Sequence, residues 1–205
     1  MNLLKSIVCA SIVLMVSACS DNESAQSYIS KAESLIVEKQ NSAAIISLKN
    51  ALKVDAENAQ ARFLLGQLYL SEGDAQKAIK ELERANKIKF NPDRIVPLLA
   101  RAYMLAEYDE DILSLASQEN FLSATNTQYL AYKTMASLRT KNKKLAEETV
   151  DVAFSVSDSD GYSMLASAYL EFSKQNIPHA STLVERILTA TPNNADALML
   201  QGQIA

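Results

Sequence analysis

Tryptophan is absent from the 205 residues, histidine occurs once, and glycine and proline occur four times each. Both cysteines, Cys9 and Cys19, lie in the first nineteen residues. Everything after them must fold without a disulfide and be held by packing. One histidine and no cysteine in that stretch exclude a zinc site of ordinary composition. His179, directly after Pro178, reads as a surface or capping residue. No Gly-x-Ser-x-Gly, His-Glu-x-x-His or phosphate-loop pattern occurs, so no catalytic residue, metal or cofactor is predicted. The formal net charge of −4 disfavours broad nucleic-acid binding. The longest uncharged apolar run, Ser6 to Ala18, covers roughly 20 Å as a helix, short of the ~30 Å that a spanning helix must cross.

What is present begins with that run. Lys5, the apolar segment and the small residues Ser17 and Ala18 have the layout of an export signal. Val16-Ser17-Ala18-Cys19 resembles a bacterial lipobox, the alternative being an ordinary signal peptide with a chance cysteine. The resemblance implies cleavage before Cys19 and acylation of its thiol, since a thiolate is the nucleophile that takes the diacylglyceryl group. Several acyl chains, at about 0.8 kcal/mol per buried CH2, make a durable anchor. Residues 1–18 are then the leader and 19–24 a lipidated tether. By the same resemblance, Ser20 after the cysteine implies sorting to the outer membrane, facing the periplasm; aspartate there favours inner-membrane retention, and here it comes one residue later, as Asp21.

Abundant Ala, Leu, Lys, Glu and Gln predict helix nearly throughout. "AQARFLLGQLY" (Ala59 to Tyr69) and "ADALMLQGQIA" (Ala195 to Ala205) share five of eleven residues at an offset of 136, four times 34. The frame starts repeats near 25, 59, 93, 127, 161 and 195, the last of them partial. Its eighth position holds Ala32, Gly66, Ala100, Thr134, Ala168 and Gly202; its twentieth holds Ala44, Ala78, Ile112, Ala146 and Ala180. Small residues at both places let two helices approach closely. Leu48, Leu82, Val150 and Val184, then Ala51, Ala85, Ala153 and Ile187, follow on one stripe of a second helix. Turn signals separate the helices, as at Ser71-Glu72-Gly73-Asp74, where Gly73 suits a left-handed helix end and Asp74 an N-cap. In the fifth repeat, Ala166 and Tyr169 carry the small-to-aromatic spacing of Gly66 and Tyr69 two residues early, which predicts two extra residues in the turn before Pro178.

This 34-residue helix-turn-helix unit resembles the tetratricopeptide repeat over residues 25–205, most sharply over 25–116. The resemblance implies an all-α, right-handed superhelical solenoid of antiparallel helix pairs. Leu198, Met199, Leu200 and Ile204 in a last unit of one helix predict that the chain is the front part of a longer repeat protein. The run from Ala43 to Met104, with "NPDRIVPLLARAY" its most telling part and a lipobox upstream, resembles the tetratricopeptide-repeat lipoproteins of the exosortase/PEP-CTERM system. Pro97 within that run is expected to sit in a first helical turn, where its missing amide costs little. What this resemblance implies is a lipid-anchored, non-enzymatic scaffold in surface-protein sorting and extracellular polysaccharide assembly. Repeats alone do not separate that role from pilus or envelope assembly, or from direct polysaccharide binding.

In the tetratricopeptide frame, positions 2, 5, 9 and 12 of each unit face the concave groove. They are Gln60, Phe63, Gln67 and Leu70 in the second repeat, and Arg94, Pro97, Arg101 and Met104 in the third. Amides, guanidinium groups and apolar anchors suit an extended peptide or partner protein, the alternative for each being packing against a neighbouring repeat. Glu107 to Asp111 reads as carboxylates at a helix N-terminus rather than a calcium site, Asp158-Ser159-Asp160-Gly161 lacks the other ligands of a calcium loop, and the basic run Arg139 to Lys144 reads as a solvated turn.

Overall fold

The computed structural model describes residues 23–88, 90–115 and 126–205, and the leader and Cys19 lie outside these. The described residues form eleven α-helices and no strand. They are α1 (Ala25–Val37), α2 (Asn41–Val54), α3 (Ala59–Ser71), α4 (Ala75–Lys87), α5 (Pro92–Leu105), α6 (Asp109–Ser114), α7 (Thr127–Arg139), α8 (Lys143–Val156), α9 (Gly161–Ser173), α10 (Ile177–Ala190) and α11 (Ala195–Ile204).

The chain punctuates this series at a constant interval. Ser24, Asn58, Asn126, Asp160 and Asn194 each precede a first helix and accept a hydrogen bond from an amide in its opening turn, satisfying donors the helix leaves unpaired. The third repeat opens one residue early, because Asn91 is its cap and Pro92 its first helical residue, a place where proline has no intrahelical bond to lose. Between paired helices, Lys39, Gly73, Glu107, Lys141 and Gln175 all take a left-handed backbone, with φ between 59° and 78°. The residue after each donates back to the preceding helix, as Gln40 to Leu35, Asp74 to Tyr69, Tyr108 to Tyr103, Asn142 to Ser137 and Asn176 to Glu171, which is the Schellman termination. Only one of the five is glycine, so four side chains accept a conformation that disfavours them.

Each first helix packs on its own second helix, and first helices also touch in succession, α3 with α5, α5 with α7, α7 with α9 and α9 with α11. The small positions are where the backbones meet: Ala44, Ala78, Ala146 and Ala180 are all 0% exposed, as is the larger Ile112 that takes this place in the third repeat. At Gly66 a Cβ would stand 2.5 Å from Leu82 Cγ. Thr134 fits the same slot by hydrogen-bonding its hydroxyl back to Leu130 O at 2.9 Å. No helix among the described residues is long and apolar enough to cross a membrane.

Two expectations are corrected. The turn before Pro178 holds no insertion: α10 begins sixteen residues after α9, as α2 does after α1 and α8 after α7. Ala168 therefore occupies the eighth position, and Tyr169 falls on the ninth. Pro97 is not in the first turn of α5, because Ile95 already donates to Asn91 O at 3.1 Å. Its ring removes an amide that would otherwise reach the Asp93 carbonyl, and the helix continues to Leu105 because Pro97 is buried in the core. At the far end, Leu200 is fully buried and Leu198 is exposed, with Met199 and Ile204 partly covered.

Candidate functional site

The groove face is a ladder of first-helix residues, and its filling changes along the chain. In the second and third repeats, Phe63, Leu70, Pro97 and Met104 are buried. Phe63 stacks on Phe90 with ring centroids 5.0 Å apart, and the exposed Arg94 guanidinium lies 4.5 Å from the Phe63 ring centre. Gln60 donates to Glu33 Oε1 at 2.9 Å. Gln67 and Arg94 remain open to solvent on this stretch.

Arg101, one rung on, is not free. Its Nε donates to Asp196 Oδ1 at 3.2 Å, from α5 to α11. Tyr132 on α7 donates its hydroxyl to the other oxygen, Oδ2, at 2.7 Å, and the Tyr162 ring on α9 lies edge-on to Tyr132 at 6.3 Å. Side chains of α5 and α7 thus bond one carboxylate of α11 that is itself 4% exposed, with Tyr162 of α9 packed behind Tyr132. Burial opposes the charge on Arg101, yet Asp196 beside it leaves the guanidinium pKa raised. Burial first, and the Asp196 charge second, push the Tyr132 phenol upward.

Beyond that cluster the ladder opens. Met135 and Leu138 of α7, Tyr169 and Phe172 of α9 and Gln203 of α11, with Arg139 and Ser173 at the rim, line a cavity of about 250 Å³. These are the ninth and twelfth positions of the fourth and fifth repeats and the ninth of the sixth. Tyr169 is 4% exposed, and its hydroxyl is buried with no hydrogen-bond partner. Burial, then Asp196, raises its pKa, so it stays a neutral phenol with a donor to offer. Arg139 at the rim is tied through Nε to Asp109 Oδ2 at 3.0 Å. The cavity was missed in the sequence because the misplaced register of the fifth repeat moved Tyr169 off the groove; the recurring Asn/Asp caps at 126, 160 and 194 were the signal that fixes the frame.

His179 is exposed at the start of α10, its Nδ1 3.3 Å from Glu171 Oε2. Asp109, Glu110 and Asp111 form the first turn of α6, and Asp160 caps α9. No group of three potential metal-ligating side chains exists among the described residues.

Residues 35–102 match the family model described as tetratricopeptide repeat. No curated protein matches the chain. Among solved structures, YrrB, a tetratricopeptide-repeat protein with a peptide-binding site, is 15% identical, with 87% of this chain and 92% of that one covered and a TM-score of 0.61. PilF of Pseudomonas aeruginosa is 17% identical, with 88% and 82% covered and a TM-score of 0.61. MamA is 16% identical, with 83% and 93% covered and a TM-score of 0.64, and PilW, a type IV pilus biogenesis factor, is 18% identical, with 88% and 84% covered and a TM-score of 0.61. At these identities the likeness speaks to fold, and the fold is the tetratricopeptide-repeat solenoid.

Proposed function

We propose that the chain is a non-enzymatic scaffold that binds an extended segment of a partner protein in its concave groove. The observation that carries this reading is the cavity over α7, α9 and α11, where apolar walls meet a buried phenol without a partner. An apolar side chain of the partner fills the walls. A small number of polar groups at the edge of such an apolar space fix the orientation of what binds there. Gln67 and Arg94 extend the contact toward the front repeats.

The anchor and the setting belong to the same proposal. The lipobox-like Val16 to Cys19 supports a protein held in the bacterial envelope through Cys19, on the periplasmic side of the outer membrane. The Asn91 to Tyr103 run supports a role in exosortase-type surface-protein sorting and extracellular polysaccharide assembly. A second reading, pilus assembly, draws support from the pilus protein among the similar folds.

The test is photocrosslinking in living cells of the producing bacterium, with the probe at Gln203 in the cavity lining and at exposed Lys77 as control. A discrete protein adduct from Gln203 alone supports the scaffold and names its partner, deciding between sorting and pilus machinery. Capture of glycan only, or the same products from both positions, contradicts the groove reading.

A further inference from the structure

A solenoid is held by contacts between neighbouring repeats, so a bond between repeats three places apart needs its own explanation. Arg101 and Asp196 make such a bond across a sequence separation of 95 residues. Both Asp196 oxygens are occupied, one by Arg101 and one by Tyr132. Tyr132 is itself fully buried and is approached by Gln128 Nε2 at 3.4 Å. Asp196 stands in the first turn of α11, so the carboxylate and the helix that carries it must move together.

We propose that Asp196 is a latch that draws the sixth repeat onto the third and shuts the groove between them. Arg101 is the ninth-position rung between Gln67 in front and the cavity rungs Met135, Tyr169 and Gln203 behind. With the latch closed, the groove is divided into the cavity and a front stretch around Gln67 and Arg94. A segment long enough to occupy both compartments binds only after Asp196 has left Arg101 and Tyr132. The closed form is the one in which both Asp196 oxygens are bonded. The geometric part of the proposal stands alone; its consequence for binding rests on the groove being the partner site.

The test is double electron–electron resonance on the full-length chain. Nitroxides are attached through keto side chains introduced at Gln67 and Gln203, both exposed, so that Cys9 and Cys19 stay native. The wild type is expected to give one narrow distance distribution. Asp196→Asn, which keeps the shape and removes the charge, is expected to add a longer-distance population at unchanged helical circular dichroism. Exchanging the partners, Arg101→Asp with Asp196→Arg, is expected to suppress it. If Asp196→Asn loses helical signal, Arg101→Gln is read in its place, since it removes the charge that Asp196 meets. A folded variant with the wild-type distribution overturns the latch. Repeating the Gln203 crosslink in Asp196→Asn separates the two readings. A longer distance with unaltered capture leaves the latch standing and counts against its role in binding; an unaltered distance with discrete capture removes the latch and keeps the groove.

Discussion

In the second and third repeats the fifth and twelfth groove positions are closed by their own side chains, with Phe63 at 1% and Met104 at 3% exposure, while Gln67 and Arg94 stay exposed. In the fourth to sixth, the same ladder surrounds a cavity and ends in a carboxylate shared by two helices. Caps and left-handed turns recur through both halves, the third repeat alone starting one residue early. The difference lies in which residues stand at the ninth and twelfth positions. Where the sequence follows the repeat pattern most closely, Phe63, Leu70, Pro97 and Met104 fill the groove face themselves. The region that departs from it, with Thr134 in a small slot and Tyr169 on the groove face, carries the cavity and the polar cluster. Regular sequence marks the packing between helices, and departures from it mark the inner surface.

Substitutions at matched places sharpen or break this comparison. The largest effect is expected within the rear polar cluster. Tyr132→Phe removes a hydrogen bond to a charged group and should cost about 1.5–3 kcal/mol, whereas Tyr169→Phe deletes a hydroxyl with no partner and should be neutral or stabilise by about 1 kcal/mol. Urea denaturation of the two variants gives the comparison, and equal losses would mean that the Tyr169 hydroxyl is satisfied in solution.

Gly66 and Gly202 hold the eighth position in the front and the last repeat. A methyl at 66 meets the Leu82 side chain at 2.5 Å, while one at 202 meets nothing within 4 Å. Gly66→Ala should therefore cost about 1–3 kcal/mol through overpacking. Gly202→Ala should gain up to about 0.5–1 kcal/mol from helix propensity. Similar values for both would contradict the close approach of α3 and α4.

Smaller and equal effects are expected where the halves are alike. Lys39 and Gln175 have φ of 59° and 61°, so Lys39→Gly and Gln175→Gly should each stabilise by roughly 0.5–1 kcal/mol, the left-handed penalty less the entropy glycine adds to the unfolded chain. A loss at either place would show that the turn relaxes out of that conformation in solution.

The smallest effect is confined to alkaline solution. Tyr103, Tyr132, Tyr162 and Tyr169 all have folded pKa values raised above 10.0, burial being the first cause in each. Above about pH 10 the unfolded chain loses these protons while the folded chain keeps them, so the unfolded state binds fewer and stability falls as pH rises. Below that range their contribution is fully present. Thermal melts between about pH 8 and pH 11 should flatten for Tyr132→Phe and for Tyr103→Phe, each having lost one raised phenol.

The repeat length, the helix pairing and the small slots were legible because they rest on local periodicity and size: Ala44, Leu82 and Ala146 could be placed by counting. The third-repeat start was one residue off, because Pro92 and Asn91 set it by capping rather than by the frame. The fifth repeat was misread because an aromatic at Tyr169 was matched to Tyr69 by type, when the cap at Asp160 and the left-handed Gln175 hold the register. The Arg101–Asp196 contact had no local signal at all. It depends on how three successive repeats are inclined to one another, a property of packing that no 34-residue window contains. For the groove, the frame gave the face on which Gln60, Gln67, Leu70 and Arg94 stand but not which of these side chains the neighbours would cover.

The account rests on the rear of the groove being its open part. The most direct measurement is to place one photocrosslinking probe in turn at Gln67 and Gln203, both exposed ninth-position residues, in the full-length chain in the same cells. The account predicts a discrete partner adduct from Gln203 and a weaker one, or none, from Gln67. A strong adduct from Gln67 with none from Gln203 would contradict it, and would move the partner to the front repeats.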